Sequence, residues 1–201
     1  MHSRLFSVCL CVSAILFSAS YSAAADLASA KRAYEQKDYV TAAKEYMSLA
    51  QQGNEDAQLA IGKMFLMGEG VQRDRDQALK WFQTLATLGN AEAQFYLGSM
   101  YLLPRIDLLE GMKWLRLSAA QGMQDAQYLL GKAYTQGADV IPQDRVQGAM
   151  WLRLAAHDND EFYQNELAAA EKRMPAGEIE KARALAQAWK PVPRDNAKPR
   201  Y

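Results

Sequence analysis

The sequence has little of what catalytic and metal sites usually require. It contains two cysteines and two histidines in 201 residues, and Cys9, Cys11 and His2 all lie close to the N-terminus. Without that segment, His157 is the remaining imidazole, and the chain has no thiol for a disulfide, a metal or a nucleophile. The Ser-x-x-Lys and Gly-x-Ser-x-Gly motifs of hydrolases are also missing. We therefore predict a protein that is not an enzyme and needs no metal or cofactor.

The chain also lacks an excess of charge of either sign. It has 23 basic and 23 acidic residues, so composition does not favour nucleic acid or an anionic surface as the partner. Four basic residues near the C-terminus could contact an anionic surface, although a solvated tail is the simpler interpretation. These residues are Lys190, Arg194, Lys198 and Arg200.

The N-terminal apolar run is short. It extends from Leu5 to Ala19, follows Arg4 and precedes the small residues Ala23 to Ala25. This arrangement is typical of a secretory signal peptide, and the run is too short for a membrane-spanning helix. We predict a signal peptide at 1–25, cleavage after Ala25 and a periplasmic or secreted mature chain. The alternative is an uncleaved N-terminal anchor.

A single pattern recurs three times through the centre of the chain. Each copy starts with Ala-Gln and has a glycine, an aspartate, a tryptophan and a helix-ending residue at corresponding positions. These are Ala57, Gly62, Asp74, Trp81 and Gly89, then Ala93, Gly98, Asp107, Trp114 and Gly122, then Ala126, Gly131, Asp144, Trp151 and Asn159. Such self-similarity predicts an all-α fold, an αα-hairpin solenoid or superhelix.

Helical periodicity divides each copy into a helix A, a loop of variable length and a helix B. The predicted A helices cover about 55–66, 91–102 and 124–135, and the B helices about 75–88, 108–121 and 145–157. A degenerate first unit precedes them, and two helices at about 161–173 and 176–189 close the stack. The predicted domain is thus 26–190, with units at about 26–53, 54–89, 90–122 and 123–159, capping helices at 160–190 and a disordered, proline-rich tail at 191–201.

Local signals mark the helix ends and one close contact. Asp38, Asp74, Asp107 and Asp144 are predicted N-caps of the B helices. Gly53, Gly89 and Gly122 are predicted to end helices in the left-handed conformation, with Asn159 in their place in the last copy. Glycines inside helix A and small residues early in helix B predict that the two helices touch too closely for a large side chain.

The first copy resembles the Sel1-like repeat, a relative of the tetratricopeptide repeat. The residues that carry the resemblance are Ala57, Gly62, Phe65, Gly68, Gly70, Val71, Asp74, Ala78, Trp81, Ala86 and Gly89. The second and third copies lose the Gly-x-Gly-Val loop, and Gly111 and Gly148 replace the alanine at position 78. The resemblance implies an αα superhelix that binds other proteins, often in the bacterial envelope or in signalling.

A helical wheel identifies one candidate surface on the A helices. Two positions per helix point away from the face that holds the Ala and Gly residues. They form an apolar and aromatic column with polar neighbours, namely Leu59, Phe95 and Tyr128 beside Lys63, Ser99 and Lys132. In relatives of this fold the A helices line the concave surface, so we predict that this column binds a partner. The alternative is that it packs between adjacent A helices.

Three further segments resemble sites but have simpler explanations. Gly68-Glu69-Gly70 lacks the strand and the later Gly or Lys-Ser/Thr of a phosphate loop, so it is interpreted as a turn. Asp158 to Glu161 lacks the third spaced ligand and the distal Glu of a calcium loop, so it is interpreted as a helix stop followed by an N-cap. His157, near a helix C-terminus, has no second His or Cys with which to bind a metal.

These observations favour an exported binding scaffold for another envelope protein or a peptide. One alternative is a hydrolase that acts on the cell wall or on a β-lactam, as connected with some cysteine-rich Sel1-like proteins, although this chain lacks their disulfide cysteines. Another is a module that binds peptidoglycan or another polysaccharide through the aromatic column.

Overall fold

The structure is a computed structural model that describes residues 26–103, 106–138, 140–158 and 160–199. Over these residues the chain forms ten α-helices and one short 3-10 helix, and no β-strand. Helix α1 covers 26–35. It is followed by α2 Tyr39–Gln51, α3 Glu55–Met67, α4 Arg75–Thr87, α5 Ala91–Leu102, α6 Leu108–Ala120, α7 Gln124–Gln136, α8 Arg145–Ala155, α9 Glu161–Glu171, α10 Ala176–Ala188 and the 3-10 helix Arg194–Ala197. The predicted signal peptide and its cleavage site lie outside the described residues.

The described residues form two compact parts, which divide between Trp81 and Phe82. In the first part, α2 packs against α3 around a core that includes Tyr46, Ile61 and Met64. In the second part, α5 packs against α6, α6 against α7, α7 against α8, and α8 against both α9 and α10. In the second part, helices that follow one another along the chain therefore pack together from α5 to α9, and α10 packs against α8.

All four predicted aspartates cap the B helices. Each carboxylate accepts a hydrogen bond from a backbone N–H three residues on, as expected of an N-cap. The donors to Asp38, Asp74, Asp107 and Asp144 are Thr41, Gln77, Glu110 and Gln147, at 3.2, 3.0, 3.0 and 2.9 Å. Gly53, Gly89 and Gly122 have the predicted positive φ of 89°, 85° and 94°. Asn159 lies outside the described residues.

The predicted close contact between helices A and B is present in two hairpins. A Cβ built on Gly98 would lie 3.0 Å from the Gly111 carbonyl oxygen, and one on Gly131 would lie 3.0 Å from that of Gly148. The same Cβ atoms would each lie 2.9 Å from a backbone N of the facing helix, that of Leu115 for Gly98 and that of Leu152 for Gly131. The helices therefore approach each other backbone to backbone, which leaves no space for a methyl group.

One glutamine in each unit ties an A helix to the helix before it. Its side-chain Nε2 donates to a carbonyl in the last turn or at the C-cap of that helix, where backbone acceptors lack helical partners. The pairs are Gln58 to Ala50, Gln94 to Ala86, Gln127 to Ala119 and Gln164 to Ala156, at 3.1, 3.1, 3.2 and 2.6 Å. Since Gln164 belongs to α9, that predicted capping helix occupies the position of a further A helix.

The C-terminal segment differs from the prediction of a disordered tail. Residues 189–199 pack against other residues of the second part, and Ala197 is only 1% exposed. The Val192 N–H donates to the Ala120 carbonyl at 2.8 Å, and the Ala197 carbonyl accepts from Gln94 Nε2 at 2.8 Å. The tail is held mainly through its backbone, which explains why it shows no apolar periodicity in the sequence.

Candidate partner-binding surface

The six predicted partner-binding residues lie on the A helices α3, α5 and α7, and all six are partly exposed. Leu59 and Lys63 belong to the first compact part. Phe95, Ser99, Tyr128 and Lys132 belong to the second. Nothing in the structure tests whether these residues bind a partner, so that role stays a prediction.

In the first part, Leu59 and Lys63 line an open groove of about 330 Å³. The other lining residues are Lys31, Tyr34, Tyr46, Asp56 and Ala60. Lys31 Nζ lies 3.6 Å from Asp56 Oδ2, and both side chains are more than half exposed, so this pair holds the groove only weakly. The groove thus combines two lysines, one aspartate, two tyrosines and apolar side chains.

In the second part, the two column aromatics also make contacts within the fold. Phe95 packs against the buried cluster that contains Met112, Leu115 and Leu130. The Tyr128 ring meets Phe162 and Tyr163 of α9 edge to face, with centroid distances of 5.1 and 5.6 Å. Tyr128 therefore packs against the next A helix, as the alternative interpretation proposed, while part of each ring remains exposed.

The polar neighbours of these rings have partners of their own. Ser99 Oγ donates to the Tyr96 carbonyl at 2.9 Å. Lys132 Nζ lies 2.5 Å from Glu166 Oε2, with 32% and 26% of the two side chains exposed. A polar cavity of about 520 Å³ lies beside this ion pair and is also lined by Thr135, Gln143 and Arg173. Lys132 thus links α7 to α9 through its ion pair with Glu166.

Sequence reasoning did not identify Glu166 or Phe162 as part of this surface. Both lie on α9, outside the three clear copies of the repeat, and no periodic signal connects them with Lys132 or Tyr128. The recurring glutamine at position 164 could have placed α9 as an A helix beside α7. Phe162 is 52% exposed, so it enlarges the aromatic surface around Tyr128.

Burial and neighbouring carboxylates raise the pKa of four tyrosines. Burial raises the pKa of Tyr46 and that of Tyr128. Burial, followed by a hydrogen bond to Asp125, raises the pKa of Tyr163. The hydrogen bond that Tyr34 donates to Glu69 at 2.6 Å raises the pKa of Tyr34 to about 12.

We expect the free energy of unfolding to fall as the pH rises through and above about 10. Phenols of the unfolded chain lose their protons from that pH, whereas the same phenols in the folded chain retain them. The stabilisation from these tyrosines is therefore fully present below the unfolded pKa and is lost as the pH rises through the folded pKa. Chemical denaturation at about pH 9 and about pH 11 measures the slope of the free energy of unfolding against pH. The double variant Tyr34→Phe/Tyr163→Phe should show a shallower slope, and an unchanged slope would contradict this assignment.

The segments that resembled other sites have structural roles. Gly68 has a φ of 81° at the end of α3, and a Cβ on Gly70 would lie 1.9 Å from the Tyr39 carbonyl oxygen, which supports the turn interpretation. His157 Nδ1 lies 3.0 Å from the Leu154 carbonyl oxygen. Asp160 accepts from the Phe162 N–H at 2.8 Å as an N-cap. Within the described ranges, no group of three or more His, Cys, Asp or Glu side chains could hold a metal ion.

None of the helices in the described part of the chain is long and apolar enough to cross a membrane.

Comparison with known proteins identifies the repeat. The sequence matches the Sel1 repeat over residues 55–90, 91–123 and 124–160, which together cover more than half of the chain. A protective antigen from uropathogenic Escherichia coli strains that displays an SLR fold is 30% identical, with a TM-score of 0.65 over 75% of this chain and 34% of that chain. A Sel1 repeat protein from Oxalobacter formigenes is 31% identical, with a TM-score of 0.60 over 73% of this chain and 44% of that chain. A search of curated proteins found no match.

The chain spans less than half the length of both solved relatives. Their fold and the ten helices confirm the predicted all-α αα-hairpin solenoid class. Sel1 repeats generally mediate protein–protein interactions and are generally not catalytic. On the evidence of three repeat matches, the chain belongs to the Sel1 repeat family.

Proposed function

We propose that this chain is an exported, non-enzymatic scaffold that binds another envelope protein or a peptide through its A helices. The observation that carries the proposal is a repeated pair of partly exposed side chains, one apolar or aromatic and one polar, on each of α3, α5 and α7. The pairs are Leu59 and Lys63, Phe95 and Ser99, and Tyr128 and Lys132. Side chains already held by packing lose little conformational freedom when they bind, which favours affinity.

Export rests on the N-terminal segment of the sequence. The apolar run from Leu5 to Ala19 and the small residues up to Ala25 have the form of a cleaved signal. The absence of cysteine after Cys11 means that the mature chain folds without disulfides in an oxidising compartment. We therefore propose a mature chain that starts near Asp26 in the periplasm or the secreted fraction.

Photo-crosslinking in intact cells tests both the binding through the A helices and the export of the chain. Replacing Phe95 or Tyr128 by p-benzoylphenylalanine keeps an aromatic ring at each position, whereas a change to Glu would also remove a ring that packs against neighbouring helices. We expect each variant to crosslink to one and the same protein or peptide, with the adduct recovered from the envelope fraction and its bait chain beginning near Asp26. The matched control carries the crosslinker at Leu109, which lies on the B helix α6 and is 62% exposed.

Equal crosslinking from positions 95, 128 and 109 would contradict the assignment to the A helices. A bait chain that keeps residues 1–25 in the cytoplasm would contradict export. Retention of the purified mature chain on peptidoglycan, without a protein adduct, would favour the glycan-binding alternative. Hydrolysis of a β-lactam or a muropeptide by the same preparation would contradict a non-enzymatic role.

A further inference from the structure

The C-terminal segment follows the turns that join B helices to A helices in the second compact part. A Cβ built on Gly122 would lie 3.7 Å from Trp189 Cη2, so the indole lies over this turn. Further on, the Val192 N–H donates to the Ala120 carbonyl, and Arg194 Nε donates to the Leu88 carbonyl at 3.2 Å. Residues 189–199 thus extend from one helix-ending glycine towards the preceding one. We refer to this segment as the tail.

Gln94 connects the tail to the repeat. Its Nε2 makes the bond to Ala86 that recurs in the other units, and it also donates to the Ala197 carbonyl at 2.8 Å. Its Oε1 accepts from Gln121 Nε2 at 2.9 Å, and Gln94 itself is fully buried. The glutamine whose bond recurs in the other units therefore also binds a main-chain carbonyl at the end of the 3-10 turn of the tail.

The surface under the tail recognises backbone and one small side chain. Ala197 is the buried residue of 189–199, while Trp189, Val192 and Pro199 are partly buried. At Gly89 a Cβ would lie 2.6 Å from the Arg194 carbonyl oxygen, so the glycine at this turn allows the tail backbone to approach closely. Pro191, Pro193 and Pro199 restrict their own backbone φ angles, and the backbone is extended at Pro193 and Lys198 on either side of the 3-10 turn Arg194–Ala197. The surface therefore suits a proline-flanked peptide that makes this turn and carries a small residue at the position of Ala197.

The tail buries little side-chain surface. Most of its side chains are exposed, and its contacts include the buried Ala197 methyl group, the Trp189 indole over Gly122 and three hydrogen bonds that involve backbone atoms. Segments with so little buried apolar area open at low free-energy cost while the rest of the domain stays folded. Opening would expose the Ala197 site and a donor of the Gln94 amide together.

We propose that this face of the second part is a peptide-binding site that the chain's own tail occupies. Its partner is a proline-flanked segment of another protein that makes a single 3-10 turn, with alanine or a similarly small residue at the position of Ala197. Binding of the partner requires displacement of the tail, so the tail lowers the apparent affinity by the fraction of molecules in which it is docked. None of the six predicted partner-binding residues contributes to this site, and the proposal does not depend on the function proposed for them.

The test uses a labelled synthetic peptide with the sequence of residues 189–199, WKPVPRDNAKP. Fluorescence anisotropy measures its binding to the mature chain, to a chain that ends at Ala188, and to the full-length variant Ala197→Arg. The variant keeps the length of the tail and its charged residues. It places a long side chain where the structure holds a buried methyl group. Circular dichroism confirms that each chain is folded. A peptide carrying the same Ala197→Arg change is the control.

We expect the shortened chain and the Ala197→Arg chain to bind the peptide about tenfold more tightly than the wild type, since their site is open. The control peptide should not bind. Folded variants that fail to bind, or binding that is equal for all three chains or for both peptides, would overturn the proposal. If both variants unfold, the tail is an integral part of the domain and the proposal is wrong.

Discussion

The substitution Gly131→Ala is expected to lower the free energy of unfolding by roughly 2–4 kcal/mol. Helix propensity alone predicts the opposite sign, because alanine is favoured over glycine by about 1 kcal/mol inside a helix. However, the added Cβ would lie 2.9 Å from the Leu152 backbone N and 3.0 Å from the Gly148 carbonyl oxygen. Backbone atoms of α8 cannot rotate away, so α7 and α8 must separate and lose contacts along the hairpin.

The matched control is Gly177→Ala. Gly177 lies in the first turn of α10, and a Cβ built there has no heavy atom within 4 Å. Only helix propensity and the entropy of the unfolded chain then act, and a neutral effect or a gain of about 0.5–1 kcal/mol is expected. Urea denaturation of both variants measures the difference. A Gly131→Ala protein as stable as the wild type would mean that the two helices are farther apart than described.

The substitution Gln94→Leu has the second large expected effect. It removes the donor to both Ala86 and Ala197 and the acceptor for Gln121 in a fully buried position. Leucine fills a similar volume, so the loss arises chiefly from buried polar groups left without partners, each of which costs about 1–3 kcal/mol. We expect a total loss of about 2–4 kcal/mol in the free energy of unfolding.

The corresponding change in the first unit, Gln58→Leu, serves as its control. Gln58 is partly exposed and donates to Ala50 at 3.1 Å, so water can replace part of what is lost. Its expected cost is about 1 kcal/mol or less. Thermal and urea denaturation compare the two variants. Equal losses in the free energy of unfolding at the two positions would show that the bonds of Gln94 to Ala197 and Gln121 add no stability.

Much of the fold was predictable because its signals are local and repeated. An aspartate before each B helix caps backbone N–H groups within its own turn, and Asp144 with the Gln147 N–H is one example. The left-handed glycine that ends a helix acts over two or three residues. The contact of Gly98 with Gly111 joins neighbouring helices across one short loop, so its two members lie close together in the sequence. Repetition made each of these signals visible three or four times.

The candidate surface was predictable only as a set of positions. The helical wheel placed Leu59, Phe95 and Tyr128 on partly exposed faces, in agreement with their exposure. It could not show that Lys132 pairs with Glu166 or that Tyr128 packs against Phe162. Those partners lie on α9, which departs from the repeat pattern at most positions and therefore has a weak signal.

By itself, the sequence determined the helices, their ends, their pairing into hairpins and the family, because each of these depends on short-range chemistry that the chain repeats. Only the tertiary structure decided which exposed residues have partners and where the tail lies. The bond between Gln94 and Ala197 joins residues 103 positions apart. It occurs once, and the tail contributes a backbone carbonyl to it, which every residue possesses. A contact of this kind leaves no pattern of residue types from which it could be inferred.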